Sequence, residues 1–204
     1  VSAGKRLLDL VLACFLAVIL APVIAVIAVW LAIRQGRPVL YGSERMRSPE
    51  QPFTLWKFRT MAPDPADAGV TGGDKVDRIT PQGAWLRARR LDELPQLWNV
   101  LRGDISFVGP RPPLRRYVDL RPDLYARVLR SRPGITGLAT LTYEAHEEAL
   151  LSRCRTGAET EAVYLRSCVP RKAALDLIYQ ERRTLCLDLW LIGRTAAKVI
   201  PKRK

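Results

Sequence analysis

Residues Leu10 to Ile33 read LVLACFLAVILAPVIAVIAVWLAI, with no charged side chain from end to end. As a helix, this run of about 24 residues extends about 36 Å, enough to cross the hydrocarbon core of a bilayer. It is too long for the apolar region of a secretory signal, and no small-x-small cleavage site with a polar flank follows it. A buried helix of a soluble domain is the competing expectation. Basic residues stand on both sides, Lys5 and Arg6 before and Arg34 and Arg37 after, so the cytoplasmic preference of Lys and Arg draws both ends to one face. Pro22 sits near the middle, where its missing N–H and its ring break or kink a helix. These residues leave two topologies open. One is a Pro22-broken helix hairpin over residues 1–37 that dips into one leaflet and returns, its freed backbone groups paired locally. The other is an ordinary kinked span. Asp9, one turn after Lys5, reads as an i, i+4 ion pair at the interface.

The 204 residues, 48% hydrophobic, suit one folded unit with a real core. Lys and Arg number 33 against 20 Asp and Glu, a formal charge of +13 that calls for a polyanionic partner or surface. Nucleic acid, anionic lipid and phosphorylated substrates all qualify by charge. The basic runs lack the interleaved aromatics of a nucleic-acid binder, and the apolar segment speaks for lipid, so nucleic acid is not expected. One histidine, His146, and four scattered cysteines argue against a zinc site and against Ser-His or Cys-His triads. A reduced, cytosolic setting follows for Cys154 and Cys168, read as buried small hydrophobes.

Past the apolar run, Val39-Leu40-Tyr41 and Phe53-Thr54-Leu55-Trp56-Lys57-Phe58-Arg59 predict a short β-hairpin, the one convincing strand signal in the chain. Residues 62–75, rich in Gly, Pro and Asp, predict a polar loop. Helical pattern resumes near Gly83 and continues through Leu101 with a break around Leu91 to Pro95. Gly109-Pro110-Arg111-Pro112-Pro113 is a rigid turn. Helices are expected near 114–129, 144–153, 158–167 and 171–181, with a Pro133-Gly134 turn between the first two. Leu185 to Ile200, too short and too charged to span, suits an interfacial amphipathic helix or one packed under the domain. The fold class is α+β and mostly helical: a membrane-inserted re-entrant helix over 1–37, then a small cytoplasmic domain over 38–204.

The densest chemical signal is Arg87-Ala88-Arg89-Arg90-Leu91-Asp92-Glu93-Leu94-Pro95-Gln96. Proline is tolerated in the first turn of a helix, so a helix is predicted to start near Asp92, with Asp92 as its N-cap. Capping alone explains the aspartate. Chemistry is the alternative, because a helix N-terminus also receives phosphate. Arg87, Arg89 and Arg90 crowd the pair, and Lys57, Arg59 and Arg111 are expected to converge on it from the hairpin and the turn. Such cations lower carboxylate pKa values and hold a nucleotide diphosphate. Adjacent acids can then divide the work, one attacking phosphorus and the other holding Mg2+.

Lys57-Phe58-Arg59-Thr60-Met61, Arg78-Ile79-Thr80, Leu91-Asp92-Glu93-Leu94-Pro95-Gln96-Leu97-Trp98-Asn99-Val100, Gly103 to Pro112 and Arg132-Pro133-Gly134-Ile135-Thr136-Gly137 stand in an order and spacing that resemble the bacterial sugar transferases. These are the monotopic phosphoglycosyl transferases. The resemblance runs from Lys5, Arg6 and Asp9 to Asp176-x-x-Tyr179 and Leu187-Asp188. It implies transfer of a sugar 1-phosphate from a UDP-sugar to undecaprenyl phosphate with release of UMP, as the first membrane step in exopolysaccharide, O-antigen or glycoprotein glycan assembly. By the same resemblance Asp92 is the nucleophile that forms a covalent phosphosugar ester, and Glu93 helps hold the Mg2+ cofactor. Arg87 and Arg111 match family arginines, Arg87 near the phosphates and Arg111 in the Pro-Arg-Pro turn, and Lys57 and Arg59 from the hairpin are expected to bind the same substrate. It also implies that the Pro22 helix re-enters its leaflet, on the cytoplasmic face of the bacterial inner membrane, among membrane lipids. A homodimer is a further partner option. The length matches small members that lack the extra spans of larger relatives.

The chain departs from the family pattern at Ser43-Glu44-Arg45-Met46-Arg47, which keeps one arginine of a Gln-x-Arg-x-Gly element. Ala21 stands where some members carry serine. Ala139 to Glu144 replaces a common Gln-Val-Asn-Gly-Arg, a segment that bears on sugar choice. Two rival functions are a non-enzymatic membrane-attached scaffold, which gives no reason for an acid pair among arginines, and a nucleotide-sugar hydrolase, which would release UMP without polyprenol phosphate. His146 is expected on a solvated helix face, and Asp104 and Asp188 in structural roles.

Overall fold

A computed structural model describes residues 2–64 and 73–199. Helix α1 covers Ala3–Gln35, and the antiparallel hairpin of β1 (Leu40–Ser48) and β2 (Gln51–Phe58) follows. A 3-10 turn at Gly73–Arg78 precedes α2 (Pro81–Ala88), a second at Leu91–Glu93 precedes α3 (Gln96–Arg102), and β3 (Ser106–Val108) follows. Then come α4 (Arg115–Leu120), α5 (Pro122–Val128), β4 (Gly134–Thr136), α6 (Leu138–Leu151) and α7 (Gly157–Val163). A π-helical turn at Tyr164–Cys168 runs into α8 (Val169–Arg182), and α9 (Leu185–Val199) closes the described chain. Of the loop expected over 62–75, residues 65–72 lie outside the described residues.

Helix α1 has two faces with opposite fates. Lys5, Asp9, Ala13, Ile27 and Leu31 are buried at helical spacing, with Leu12, Leu16 and Leu20 half-buried between them. Leu7, Val11, Phe15, Val18, Val26, Val29 and Ile33 point away and are all at least 60% exposed. The most apolar 18-residue window of the helix is 11% buried, which excludes the core helix of a soluble domain. An apolar surface this long has no favourable contact with water. Pro22 does not divide the segment: the helix is continuous through it. The expected break into two helices is therefore corrected to a proline inside one helix, where the lost hydrogen bond and the clash of its ring with the carbonyl four residues back act to kink the helix rather than end it.

Both ends of α1 are tied to the rest of the chain. Near its start, Lys5 pairs with Asp188 of α9 at 2.6 Å and donates to the Tyr179 hydroxyl at 3.1 Å, and that hydroxyl donates to Asp188 at 2.6 Å. Asp9 accepts from the Ser106 hydroxyl and from the Phe107 amide. The expected Lys5–Asp9 pair is thus replaced by two long-range anchors, because burial gives each charge a better-desolvated partner than its helical neighbour. At the far end, the Arg59 guanidinium donates to the carbonyls of Gln35 and Gly36 at 2.5 and 2.8 Å, and Gln35 returns a bond to the Arg59 carbonyl.

The hairpin is longer than its sequence signal, with Leu40 opposite Phe58 and a bulge between Met46 and Ser48. A second sheet, β3 parallel to β4 with Ser106 opposite Gly134 and Val108 opposite Thr136, was not expected. Its strands are three residues each and show no readable alternation. It exists because two backbones meet closely: a Cβ on Gly109 would overlap the Arg132 carbonyl, and one on Gly134 would overlap the Gly109 nitrogen. The core falls into three apolar clusters. One joins α1 to α3, β3, Tyr179 and Leu191, a second lies among β1, α4, α5 and α8, and a third holds Ile27, Leu31, Phe58 and Leu86. Asp188 and Leu191 turn one face of α9 inward, while Leu185, Leu189 and Trp190 stay exposed, so Trp190 is a surface residue.

Candidate active site

The turn that carries the acid pair is built by its own residues. Thr80 caps α2 by accepting from the Gly83 amide, and Pro81 occupies the first turn. The helix stops before Arg90, whose φ of 53° is left-handed, a conformation that costs a non-glycine residue on the order of 1 kcal/mol. One 3-10 turn then presents Asp92 and Glu93, and α3 begins with Pro95 at its cap position. The prediction that Asp92 caps this helix is corrected. The turn places Asp92 a residue triplet ahead of the cap, and its side chain makes no capping bond.

Two neighbouring elements bring cations to this turn. Asn99 of α3 accepts from the Trp56 amide and donates to the Thr54 carbonyl, which fixes β2 against α3. Lys57 then reaches Glu93 Oε1 at 3.1 Å. The Gly109–Pro113 turn is held by the hairpin, since the Met46 amide bonds the Pro113 carbonyl and Arg45 bonds the Pro112 carbonyl. Arg111 from this turn donates to the same Glu93 oxygen at 2.9 Å, and Arg90 approaches Oε2 at 3.4 Å. Arg90 also pairs with Glu144 of α6.

The two acids respond in opposite directions. Burial by itself raises the Glu93 carboxyl, but Lys57, Arg111 and Arg90 overcome it and hold the group well below the usual carboxylate range. For Asp92, burial pushes upward and the Glu93 charge adds to it; Lys57, Arg87 and Arg111 pull down without prevailing. The sequence expectation that the cations lower both acids therefore holds for Glu93 and fails for Asp92. Among the described residues no side chain hydrogen-bonds the Asp92 carboxylate, though it is 8% exposed. Burial depresses the Lys57 ammonium, and Glu93 stabilises the Arg111 guanidinium.

The structure thus gathers Asp92, Glu93, Lys57 and Arg111, with Arg87 acting on Asp92 through its charge. It does not bring Arg59 there, because that guanidinium closes the end of α1. Arg90, one of the arginines expected to crowd the pair, does reach Glu93, at i, i+3 spacing. Glu144 escaped sequence reading as a partner in the site, since α6 joins it only through the tertiary fold. His146 is exposed beside Tyr143, and Cys154 and Cys168 are buried free thiols, as expected. Asp104 accepts from Asn99, and Asp188 is buried in the α1 anchor, both structural positions.

The same motifs connect the chain to known proteins. The bacterial sugar transferase family profile matches residues 1–202. A sugar transferase of Bacillus subtilis, EpsL, is 35% identical over 96% of this chain and 87% of its own length. The UDP-glucose:undecaprenyl-phosphate glucose-1-phosphate transferase of Caulobacter vibrioides is 36% identical over 98% of this chain and 71% of its own. The undecaprenyl-phosphate galactose phosphotransferase of Salmonella typhimurium is 39% identical over 66% of this chain and 31% of its own. The family match spans nearly the full chain, from the long apolar helix through the acid turn to α9, and the protein is an enzyme of the bacterial sugar transferase family.

Proposed function

We propose that this transferase moves a sugar 1-phosphate from a UDP-sugar to undecaprenyl phosphate, through a phosphosugar ester on Asp92. The observation that carries this reading is the asymmetry of the acid pair: Glu93 is held by three cations, while Asp92 is buried, raised and without a hydrogen-bonding side chain among the described residues. A carboxylate whose oxygens are committed to no donor is free to attack, and a raised pKa makes it the more basic nucleophile once ionised. An Asp92 oxygen bonds the phosphorus that bears the sugar, and the bond from that phosphorus to the bridging oxygen breaks, so that UMP leaves with the electron pair. An oxygen of undecaprenyl phosphate then attacks the same phosphorus. The acyl phosphate bond breaks, Asp92 is restored and undecaprenyl-diphosphate-sugar departs. Lys57, Arg87 and Arg111 meet the charge of the diphosphate.

Among the described residues no group of three or more His, Cys, Asp or Glu converges. Glu93, beside Asp92 on the acid turn, is the carboxylate we assign to the metal. That suits Mg2+, which is commonly held by one or two carboxylates together with water and substrate phosphates. When bound, Mg2+ would neutralise phosphate oxygens. The donor's phosphates would compete with Glu93 for Lys57 and Arg111.

We read α1 as a re-entrant helix on the cytoplasmic face of the membrane. Its support is that both ends are bonded into the rest of the described chain, Lys5 to Asp188 of α9 and Tyr179 of α8, and Gln35 to Arg59 just beyond β2, while the outward face is apolar. Cysteines placed at Ala3 and Arg37 should both resist an impermeant thiol reagent applied from outside the cell. Reaction at either position would overturn this topology. For the chemistry, intact-protein mass spectrometry after incubation with the UDP-sugar alone should show an added phosphosugar, absent in Asp92→Asn. An adduct that persists in Asp92→Asn would place the nucleophile elsewhere.

A further inference from the structure

α1 and α2 flank an open apolar groove of about 470 Å³, lined by Val26, Ile27, Trp30, Pro81, Gln82 and Trp85. One wall belongs to the apolar helix. The other belongs to the helix that leads directly into Arg87, Arg89 and Arg90. Trp30 and Trp85 meet edge to face across it, with ring centres 5.7 Å apart, and Trp85 remains 44% exposed. Such pairs form a firm apolar surface for a chain to lie on. The Arg89 guanidinium stacks over the Trp85 ring at 4.5 Å, which puts a cation at the edge of an otherwise apolar groove. The inner side of Ile27 joins Leu86 in one apolar cluster, and Leu91 and Leu94, the residues that bracket the acid pair, pack against that cluster. Ile27 of the groove and the leucines that bracket Asp92 thus share one apolar cluster.

An apolar groove with cations at one end fits an amphiphile with a phosphate head. We propose that it receives the head-proximal isoprene units of the polyprenyl phosphate acceptor, with the phosphate on the Arg89 side and the rest of the chain passing into the bilayer along α1. This inference rests on the transferase reading above. A single-chain phosphomonoester matches the groove better than a bilayer phospholipid does. The groove lies between two helices and takes one chain, whereas a phospholipid brings two tails on a glycerol and a phosphodiester of lower charge. Charge complementarity with Arg89, and with Arg87 close to Asp92, favours the dianionic head.

The test uses the full chain in nanodiscs and a polyprenyl phosphate carrying a diazirine in its head-proximal isoprene units. After irradiation, peptide mapping should find the label on residues 26–30 and 81–85, with excess undecaprenyl phosphate protecting them and excess phosphatidylglycerol not. Val26→Trp, at an exposed position where the larger ring fills the groove rather than the core, should cut the labelling severalfold. It should also raise the KM for undecaprenyl phosphate about tenfold. Label confined to other surfaces, equal protection by phosphatidylglycerol, or an unchanged KM in Val26→Trp would overturn the groove assignment. If wild-type protein turns over UDP-sugar with no dependence on polyprenyl phosphate, the transferase reading itself fails. Intact lipid-dependent transfer with label elsewhere removes only the groove.

Discussion

Two regions of this molecule bury acids beside cations, and they use them differently. At the base of α1, Lys5, Tyr179 and Asp188 close on one another, each Asp188 oxygen taking a bond of 2.6 Å. In the acid turn, the cations outnumber the bonds they need. Glu93 takes three of them, and the adjacent Asp92 takes no hydrogen bond from any described side chain. Mutual satisfaction makes the first region a fastening, since every charge removed from water meets a partner. The second region keeps a buried carboxylate without a hydrogen-bonding side chain among the described residues, close to cations, an arrangement suited to a phosphate-bearing substrate.

The largest effect should come from removing the open acid. Asp92→Asn is expected to lower transfer by at least about a thousandfold while thermal stability stays level or rises, because a buried, raised carboxyl is replaced by a neutral amide. UMP release and thermal unfolding measured on one preparation check both halves. Residual turnover within tenfold of wild type would erase the contrast between the two regions.

Glu93→Gln strikes the saturated member of the same turn. We expect a loss of about a hundredfold or more in kcat, and also a drop in stability, because Lys57, Arg111 and Arg90 lose their common counter-charge. Excess chelator should reproduce the activity loss without the stability loss. Full activity in chelator would exclude the Mg2+ role.

Lys5→Met addresses the fastening. It leaves Asp188 buried with only the Tyr179 hydroxyl, and should cost about 3–5 kcal/mol of stability by the usual penalty for an uncompensated buried charge. Activity per folded molecule should change far less. Denaturant unfolding in detergent gives the first number and active-site titration the second. A large activity loss with unchanged stability would mean that the two regions are functionally coupled.

The smallest effect concerns Asp176, a buried acid with Lys172 as its neighbouring charge. Burial pushes its carboxyl up to about 7, with Lys172 only partly opposing. The folded state therefore holds this proton where the unfolded chain has released it. The contribution is favourable below about pH 4 and is lost as pH rises toward 7. Asp176→Asn should thus gain ~1–3 kcal/mol at pH 8, a gain that vanishes near pH 4. Melting curves across that range decide it, and a gain at low pH instead would contradict the sign.

Much of this was readable in advance wherever the cause was local. The apolar run, the hairpin and the helix restart after Leu91 all follow from residues close in sequence. So does the crowding of arginines around Asp92 and Glu93. What escaped was non-local. The strands β3 and β4 form because Gly109 and Gly134 let distant backbones touch. Arg59 sits within the hairpin motif, yet the end of α1 claims it, since two backbone carbonyls there lack helical partners. Lys5 has Asp9 one turn away and bonds Asp188 instead.

The sequence by itself determined that this chain carries a long apolar helix, a basic domain and an acid pair within the motifs of the bacterial sugar transferases. Those properties depend on hydrophobic length, composition and short-range spacing. The tertiary structure alone decided which acid is neutralised and which stays open. An ion pair depends on distance and dielectric between residues 18 to 54 positions apart, as for Arg111 with Glu93 and Arg90 with Glu144, and no local pattern encodes either quantity.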